Sequence, residues 1–276
     1  MDIKISFLGA GNMANCLITS LLQQGYPARQ LAASNRHPEK LVPLKTIGVH
    51  TTTDNTSIVD SDLIVLAVKP QHMKNLLQEI NPHLQSKLVV SIAAGLTTAQ
   101  IESWLSKPIN ICRAMPNTPA RYGIGITGLY ASNNINDSEK KQIERLFQAV
   151  GDTVWLQTEE QMNIVTALSG SGPAYFFYWL EALIQGATQL GLPESVAKQL
   201  ALKTAYGASV MALSAPESLS ALREQVTSKG GTTESGLSVL DRSNLFGLIS
   251  NTLQAATERG KTLSALYSDP SQREKK

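Results

Sequence analysis

The 276-residue chain is short of cysteine, of net charge and of unbroken hydrophobic runs, and each shortage removes a class of function. Two cysteines, Cys16 and Cys112, are too few for a disulfide framework or a thiolate metal cage. Their apolar neighbours point to reduced thiols in a cytoplasmic protein. Four histidines, His37, His50, His72 and His83, lie in the first third without the i, i+4 spacing of a metal-binding helix, so no metal is expected. Lys plus Arg number 24 against 22 for Asp plus Glu, and the resulting net charge of +2 is too small for a nucleic-acid partner. The longest uncharged stretch, between Glu160 and Glu181, is broken by Asn163, Ser169, Gly170, Ser171, Gly172 and Pro173, so no membrane span is expected. At the start, Asp2 and the glycines that follow Leu8 give no secretory leader. A nucleophile elbow, a P-loop and paired helical carboxylates are also missing, which leaves hydrolysis and phosphoryl transfer without their parts. Chemistry carried by a bound cofactor on a small molecule needs few such groups.

What is present falls into two halves. Up to about Leu156, short β-branched runs alternate with helical periodicity, the pattern of a mostly parallel sheet covered by helices. The spacing predicts strands at Lys4–Leu8, Leu31–Ser34, Leu63–Ala67, Leu88–Ile92 and Ile109–Arg113, with weaker runs at Gly125–Ala131 and Thr153–Leu156. It also predicts a helix over Met13–Gln24, with Leu17, Ile18, Leu21 and Leu22 on one face. After Glu159 the apolar segments lengthen and Pro173, Gly191 and Pro193 punctuate them as helix starts and stops, so the second half is read as all helix. The domains are therefore placed at 1–159 and 160–276. Five consecutive aromatics, Tyr175 to Trp179, point all round one helix. A domain of this size cannot cover them alone, and a dimer is expected. The charged end Arg273–Lys276 is read as a solvated tail.

Gly9-Ala10-Gly11-Asn12-Met13-Ala14 follows a predicted strand and opens a predicted helix, giving G-x-G-x-x-A in the context of a dinucleotide-binding turn. Gly9 permits the turn, Gly11 lets the backbone approach a pyrophosphate, and the helix start at Asn12 and Met13 faces it. At the end of the second strand, where a carboxylate would accept from the ribose of NAD, the chain has Ser34-Asn35-Arg36. Two neutral donors and a guanidinium suit an extra phosphate, so NADPH is preferred and NADH is possible. A further strand ends in Ala67-Val68-Lys69-Pro70, at the edge where ligands bind in such sheets, and Lys69 is read as cofactor or pocket lining.

Two clusters of glycine and hydroxyl residues precede helices in the second half. For Ser169-Gly170-Ser171-Gly172-Pro173, capping and close helix packing suffice. For Thr227-Ser228-Lys229-Gly230-Gly231-Thr232-Thr233, the glycine pair flanked by hydroxyls favours a cradle for a small anion such as a carboxylate.

Taken in order, Phe7–Ala14, Ala67–Pro70, Arg113–Pro119, Ala167–Tyr175 and Gln225–Thr233 resemble the motifs of the pyrroline-5-carboxylate reductases over nearly the full length. The resemblance implies an α/β Rossmann-type N-terminal domain and an all-α C-terminal dimerisation domain that interlocks with a partner subunit. It implies reduction of 1-pyrroline-5-carboxylate to proline by NAD(P)H, in a homodimer at least, with a larger ring of dimers left open. It places Ser34 and Arg36 at the 2′-phosphate, Asn55 toward the adenosine ribose, and Val68, Lys69, Pro70 and Ala93 near the nicotinamide half. Ser228, Gly230, Gly231, Thr232 and Thr233 would hold the substrate carboxylate, with the Thr233 hydroxyl at the ring nitrogen as positioner or proton relay. Lys229 stands where the family usually has proline, which frees one φ angle of the loop. A reductase of another cyclic imine or of a small hydroxy acid, and a cofactor-binding regulator without turnover, remain as alternatives.

Overall fold

The structure, a computed structural model, describes residues 3–84, 87–132 and 134–268, so the charged tail lies outside the described residues. The chain divides into two compact units, one running to Ser171 and resuming at Ala255, the other comprising Gly172–Gln254.

The first unit is built on an eight-stranded sheet: β1 (Ile5–Leu8), β2 (Leu31–Ser34), β3 (His50–Thr52), β4 (Leu63–Leu66), β5 (Leu88–Ser91), β6 (Asn110–Met115), β7 (Gly125–Ala131) and β8 (Gly151–Trp155). Their spatial order is β3-β2-β1-β4-β5-β6-β7-β8. All neighbours are parallel except β6 and β7, which pair antiparallel through Cys112 opposite Ala131. β1, β4 and β5 are buried along their whole length, as strands covered on both faces must be. Because successive side chains point to opposite faces, Phe7 joins one core and Leu8 the other, and Val65 and Ile64 divide in the same way.

Helices cover both faces. In the first unit these are α1 (Asn12–Gln23), α2 (Val42–Thr46), α3 (Pro70–Ile80), α4 (Thr98–Glu102), α5 (Asp137–Gln148) and α6 (Gln161–Val165). α1 buries Ala14, Leu17, Ile18 and Leu21, close to the predicted face, whereas α3 buries Met73, Leu76, Leu77 and Ile80 against the opposite core. The strand expectations agree with the observed strands to within two residues at each end. β3 has no counterpart among them, because His50-Thr51-Thr52 is short, polar and at the sheet edge, with no apolar alternation to reveal it.

An ion pair between buried Arg113 and half-buried Glu159 ties β6 to the segment beyond β8. Arg113 on β6 is only 4% exposed, and its Nη1 donates to Glu159 Oε1 at 2.9 Å. The same carboxylate accepts from the Thr98 backbone N–H at 2.7 Å and from its hydroxyl at 3.0 Å, which caps α4 from outside its own turn. Both carboxylate oxygens are engaged, which buried charge requires.

The second unit contains α7 (Gly172–Gln189), α8 (Glu194–Ser214), α9 (Leu219–Gln225), α10 (Thr232–Arg242) and the first part of α11 (Leu245–Ser268). It is helical throughout, as expected. Phe176, Phe177 and Tyr178 are 68%, 63% and 76% exposed on α7, and Tyr206, Leu213 and Phe246 are exposed on the other helices. Apolar exposure on this scale marks an interaction surface. No helix among the described residues is long and apolar enough to cross a membrane.

Candidate active site

The turn between β1 and α1 is locked by its own backbone. Gly9 and Ala10 both donate to the Ser34 carbonyl at the end of β2, at 3.0 and 2.7 Å, and Gly11 donates back to Gly9 at 2.7 Å. Gly9 has φ +90°, and a Cβ there would collide with the Val68 side chain and lie 2.9 Å from the Val68 backbone nitrogen. Gly11 is the N-cap of α1, whose first turn carries no acidic residue. The positive end of that helix and its unbonded N–H groups therefore stay available to an anion.

Beside this turn lies a cleft of about 390 Å³, bordered by Gly9 and Gly11, by Ala67, Val68 and Lys69 after β4, and by the segment after β2. Asn35 and Arg36 line it, and so does Asn55. Asn35 works on the backbone: its Nδ2 donates to the Ala10 carbonyl at 2.8 Å and its Oδ1 accepts from the His37 N–H at 3.0 Å. The loop carrying Arg36 is thereby fastened to the glycine turn. Arg36 Nε donates to His37 Nε2 at 3.1 Å. Ser34 is fully buried and donates to Asn55 Oδ1 at 2.6 Å.

Of the residues expected at the cofactor, Gly9, Gly11, Asn35, Arg36, Asn55, Ala67, Val68 and Lys69 come together on this cleft. Asn12 borders a separate polar hollow with Cys16 and Arg121, and Met13 is half-buried against the core. Pro70 begins α3, and Ala93 is buried in the second core. The lining also includes Lys40, His72, Asn75 and Glu79, which the sequence motifs do not assign. The last three recur at positions i, i+3 and i+7 of α3, a spacing that puts them on one face.

In the second unit, the loop from Val226 to Gly231 leads into α10. Gly230 has φ +72°, a conformation that favours glycine, and its N–H donates to Glu234 Oε2 at 2.6 Å. Gly231 donates to the Ser228 carbonyl at 3.0 Å and serves as the N-cap. Both glycine N–H groups are thus engaged within the loop. The donors that open α10 without a partner inside the helix belong to Thr232, Thr233 and Glu234, and both threonines are exposed.

The Ser169–Gly172 cluster performs packing, in line with its sequence. Residues 166–170 form a π-helical turn. A Cβ on Gly170 would lie 2.6 Å from Met115 Cε, and the Ser169 carbonyl accepts from Asn117 Nδ2 at 3.2 Å. The thiols are not poised for chemistry: burial pushes Cys112 far above the ordinary thiol range, and raises Cys16 against the opposing charge of Arg121.

Comparison with known proteins gives a consistent result over nearly all of the chain. The family described as "Pyrroline-5-carboxylate reductase dimerisation" matches residues 159–263, and "NADP oxidoreductase coenzyme F420-dependent" matches residues 4–95. A pyrroline-5-carboxylate reductase of Pseudomonas aeruginosa is 41% identical over 95% of this chain and 97% of its own. One from Haemophilus influenzae is 39% identical over 95% and 98%. Among solved structures, a pyrroline-5-carboxylate reductase from Coxiella burnetii superposes with TM-score 0.92 at 42% identity, covering 96% of this chain and 99% of that one. A Plasmodium falciparum pyrroline carboxylate reductase with NADP bound gives 0.84 at 29% identity, covering 95% and 98%.

Proposed function

The chain belongs to the pyrroline-5-carboxylate reductase family, and from that premise we propose that it reduces 1-pyrroline-5-carboxylate to L-proline with NAD(P)H, the final step of proline biosynthesis. The observation that carries this reading is that each unit has its own anion-receptive helix start: α1 in the first, opened by the glycine turn beside a basic cleft, and α10 in the second, opened by Gly231. On this reading residues 1–159 form the cofactor domain and 160–276 the substrate and dimerisation domain. The protein is a cytoplasmic homo-oligomer built from dimers that cover the aromatic face of α7.

The cleft fits a dinucleotide. The N-terminus of α1 receives the pyrophosphate, and Arg36 takes the 2′-phosphate when NADPH is bound. Ser34 acts through Asn55, because its hydroxyl is buried and already committed. Bound reduced nicotinamide supplies the hydride for the imine carbon.

The residues of this chain supply position and charge. The first turn of α10 receives the substrate carboxylate through the N–H groups of Thr232 and Thr233, while Gly230 and Gly231 shape the loop. Glu234 holds that shape by accepting from Gly230, a restraint that offsets the loss of proline at position 229. The Thr233 hydroxyl accepts from the protonated ring nitrogen and passes on solvent protons, since a hydroxyl is too weak an acid to supply one itself. Alignment of the reacting carbons contributes up to about 7–11 kcal/mol.

Thr233→Ala is expected to lower kcat about 100-fold, the low end of the roughly 10²–10⁴-fold range for a positioned proton-transfer group, with thermal stability unchanged. Steady-state kinetics with NADPH and racemic pyrroline-5-carboxylate, with proline identified as the product, checks both the reaction and this role. Unaltered kcat removes Thr233 from the mechanism, and absence of proline removes the reaction.

A further inference from the structure

The cleft beside the glycine turn holds one carboxylate among its basic groups, and it is tethered to the strand that ends in Ser34. Asn55 Nδ2 donates to both oxygens of Glu79, at 3.2 and 3.1 Å. Asn55 Oδ1 accepts from the buried Ser34 hydroxyl at 2.6 Å. An ionised carboxylate can only accept, so the amide nitrogen must face Glu79 and the amide oxygen must face Ser34. The chain Ser34, Asn55, Glu79 therefore has a single sense, and the fully buried serine anchors it.

Glu79 shares the cleft with Arg36, His37 and Lys40. One amide N–H group occupies only part of its accepting capacity, and lone pairs remain for a second donor. A ribose 2′-hydroxyl is such a donor. A 2′-phosphate is an anion, attracted by Arg36 and Lys40 and repelled by Glu79. At the end of β2 the chain has no acidic residue, so the acceptor expected of a site for the unphosphorylated cofactor comes instead from the far end of α3.

We propose that Glu79 sets the dinucleotide preference of this protein, accepting from the adenosine ribose of NADH and restraining the affinity for NADPH that Arg36 and Lys40 confer. The proposal rests on the reading of the cleft as the dinucleotide site. It makes the protein a two-cofactor enzyme whose bias is the outcome of opposed charges on two elements, the turn after β2 and α3.

Glu79→Gln tests it directly, because glutamine keeps the side-chain length and an acceptor for Asn55 while removing the charge. The dissociation constants of NADPH and NADH are measured by quenching of protein fluorescence at low salt, with no substrate present. The ratio of the NADH constant to the NADPH constant should rise about tenfold in Glu79→Gln, with NADPH bound more tightly, and should fall in Arg36→Ala. A purely structural role for Glu79 would weaken both nucleotides alike and leave the ratio fixed. If both nucleotides bind and the ratio does not move, the role of Glu79 falls and the cleft assignment stands. If the unsubstituted protein binds neither nucleotide, the cleft assignment falls and takes this role with it.

Discussion

Gly9→Ala is expected to weaken NADPH binding by about 100-fold, equivalent to roughly 2.8 kcal/mol at 1.4 kcal/mol per tenfold change. The reason is backbone geometry rather than a lost contact. At φ +90° an L-residue other than glycine carries strain of about 1–3 kcal/mol. The new Cβ would also press on the Val68 nitrogen at 2.9 Å, a main-chain atom that cannot rotate aside. Relief requires the turn to shift off the Val68 backbone and to change its φ, which disturbs the two hydrogen bonds to the Ser34 carbonyl and the start of α1. Fluorescence titration of the variant with NADPH checks this. Affinity equal to that of the unsubstituted chain would mean that the turn does not form the pyrophosphate site.

The second large effect concerns stability. Glu159→Ala leaves the Arg113 guanidinium, 4% exposed, without its partner, and removes the acceptor of the Thr98 N–H and hydroxyl. Removing one member of a buried ion pair costs about 3–5 kcal/mol. For a domain of 150–250 residues each kcal/mol lowers Tm by about 2–4 °C, so the melting transition should fall by roughly 6–20 °C. Replacing both partners, as in Arg113→Leu with Glu159→Leu, should recover much of that loss because no uncompensated charge is left behind. Thermal unfolding followed by circular dichroism distinguishes the cases. If the single substitution leaves Tm in place, the ion pair is not what joins β6 to α4.

Local signals are legible in the sequence and remote ones are not. The expected strands Leu31–Ser34 and Gly125–Ala131 match the observed ones to the residue, the first because its short apolar run is flanked by polar Gln30 and Asn35. β8 starts at Gly151, ahead of the expected Thr153, because Gly151 and Asp152 carry no strand propensity and are recruited by the register with Gly125 and Ile126. The glycine turn is contiguous in the chain, so its spacing suffices to identify it. Glu79 and Lys40 reach the same cleft from other elements, and only the packing of α3 beside the segment after β2 brings them there. The face formed by His72, Asn75 and Glu79 is a signal that helical spacing alone could reveal. The engagement of Gly230 by Glu234 is beyond sequence reading, because it depends on the left-handed turn that the loop adopts. The aromatic run is legible for a different reason: five such residues in succession exceed what one face of a helix can bury, and the exposure of Phe176, Phe177, Tyr178 and Trp179 on α7 is the consequence.

The assignment of imine reduction is tested most directly by tracing the hydride. Incubation with NADPH deuterated at nicotinamide C4, on the face that is transferred, and pyrroline-5-carboxylate should give proline carrying one deuterium at Cδ, the former imine carbon. Proline free of label, or nicotinamide left reduced while both compounds are present, would contradict it.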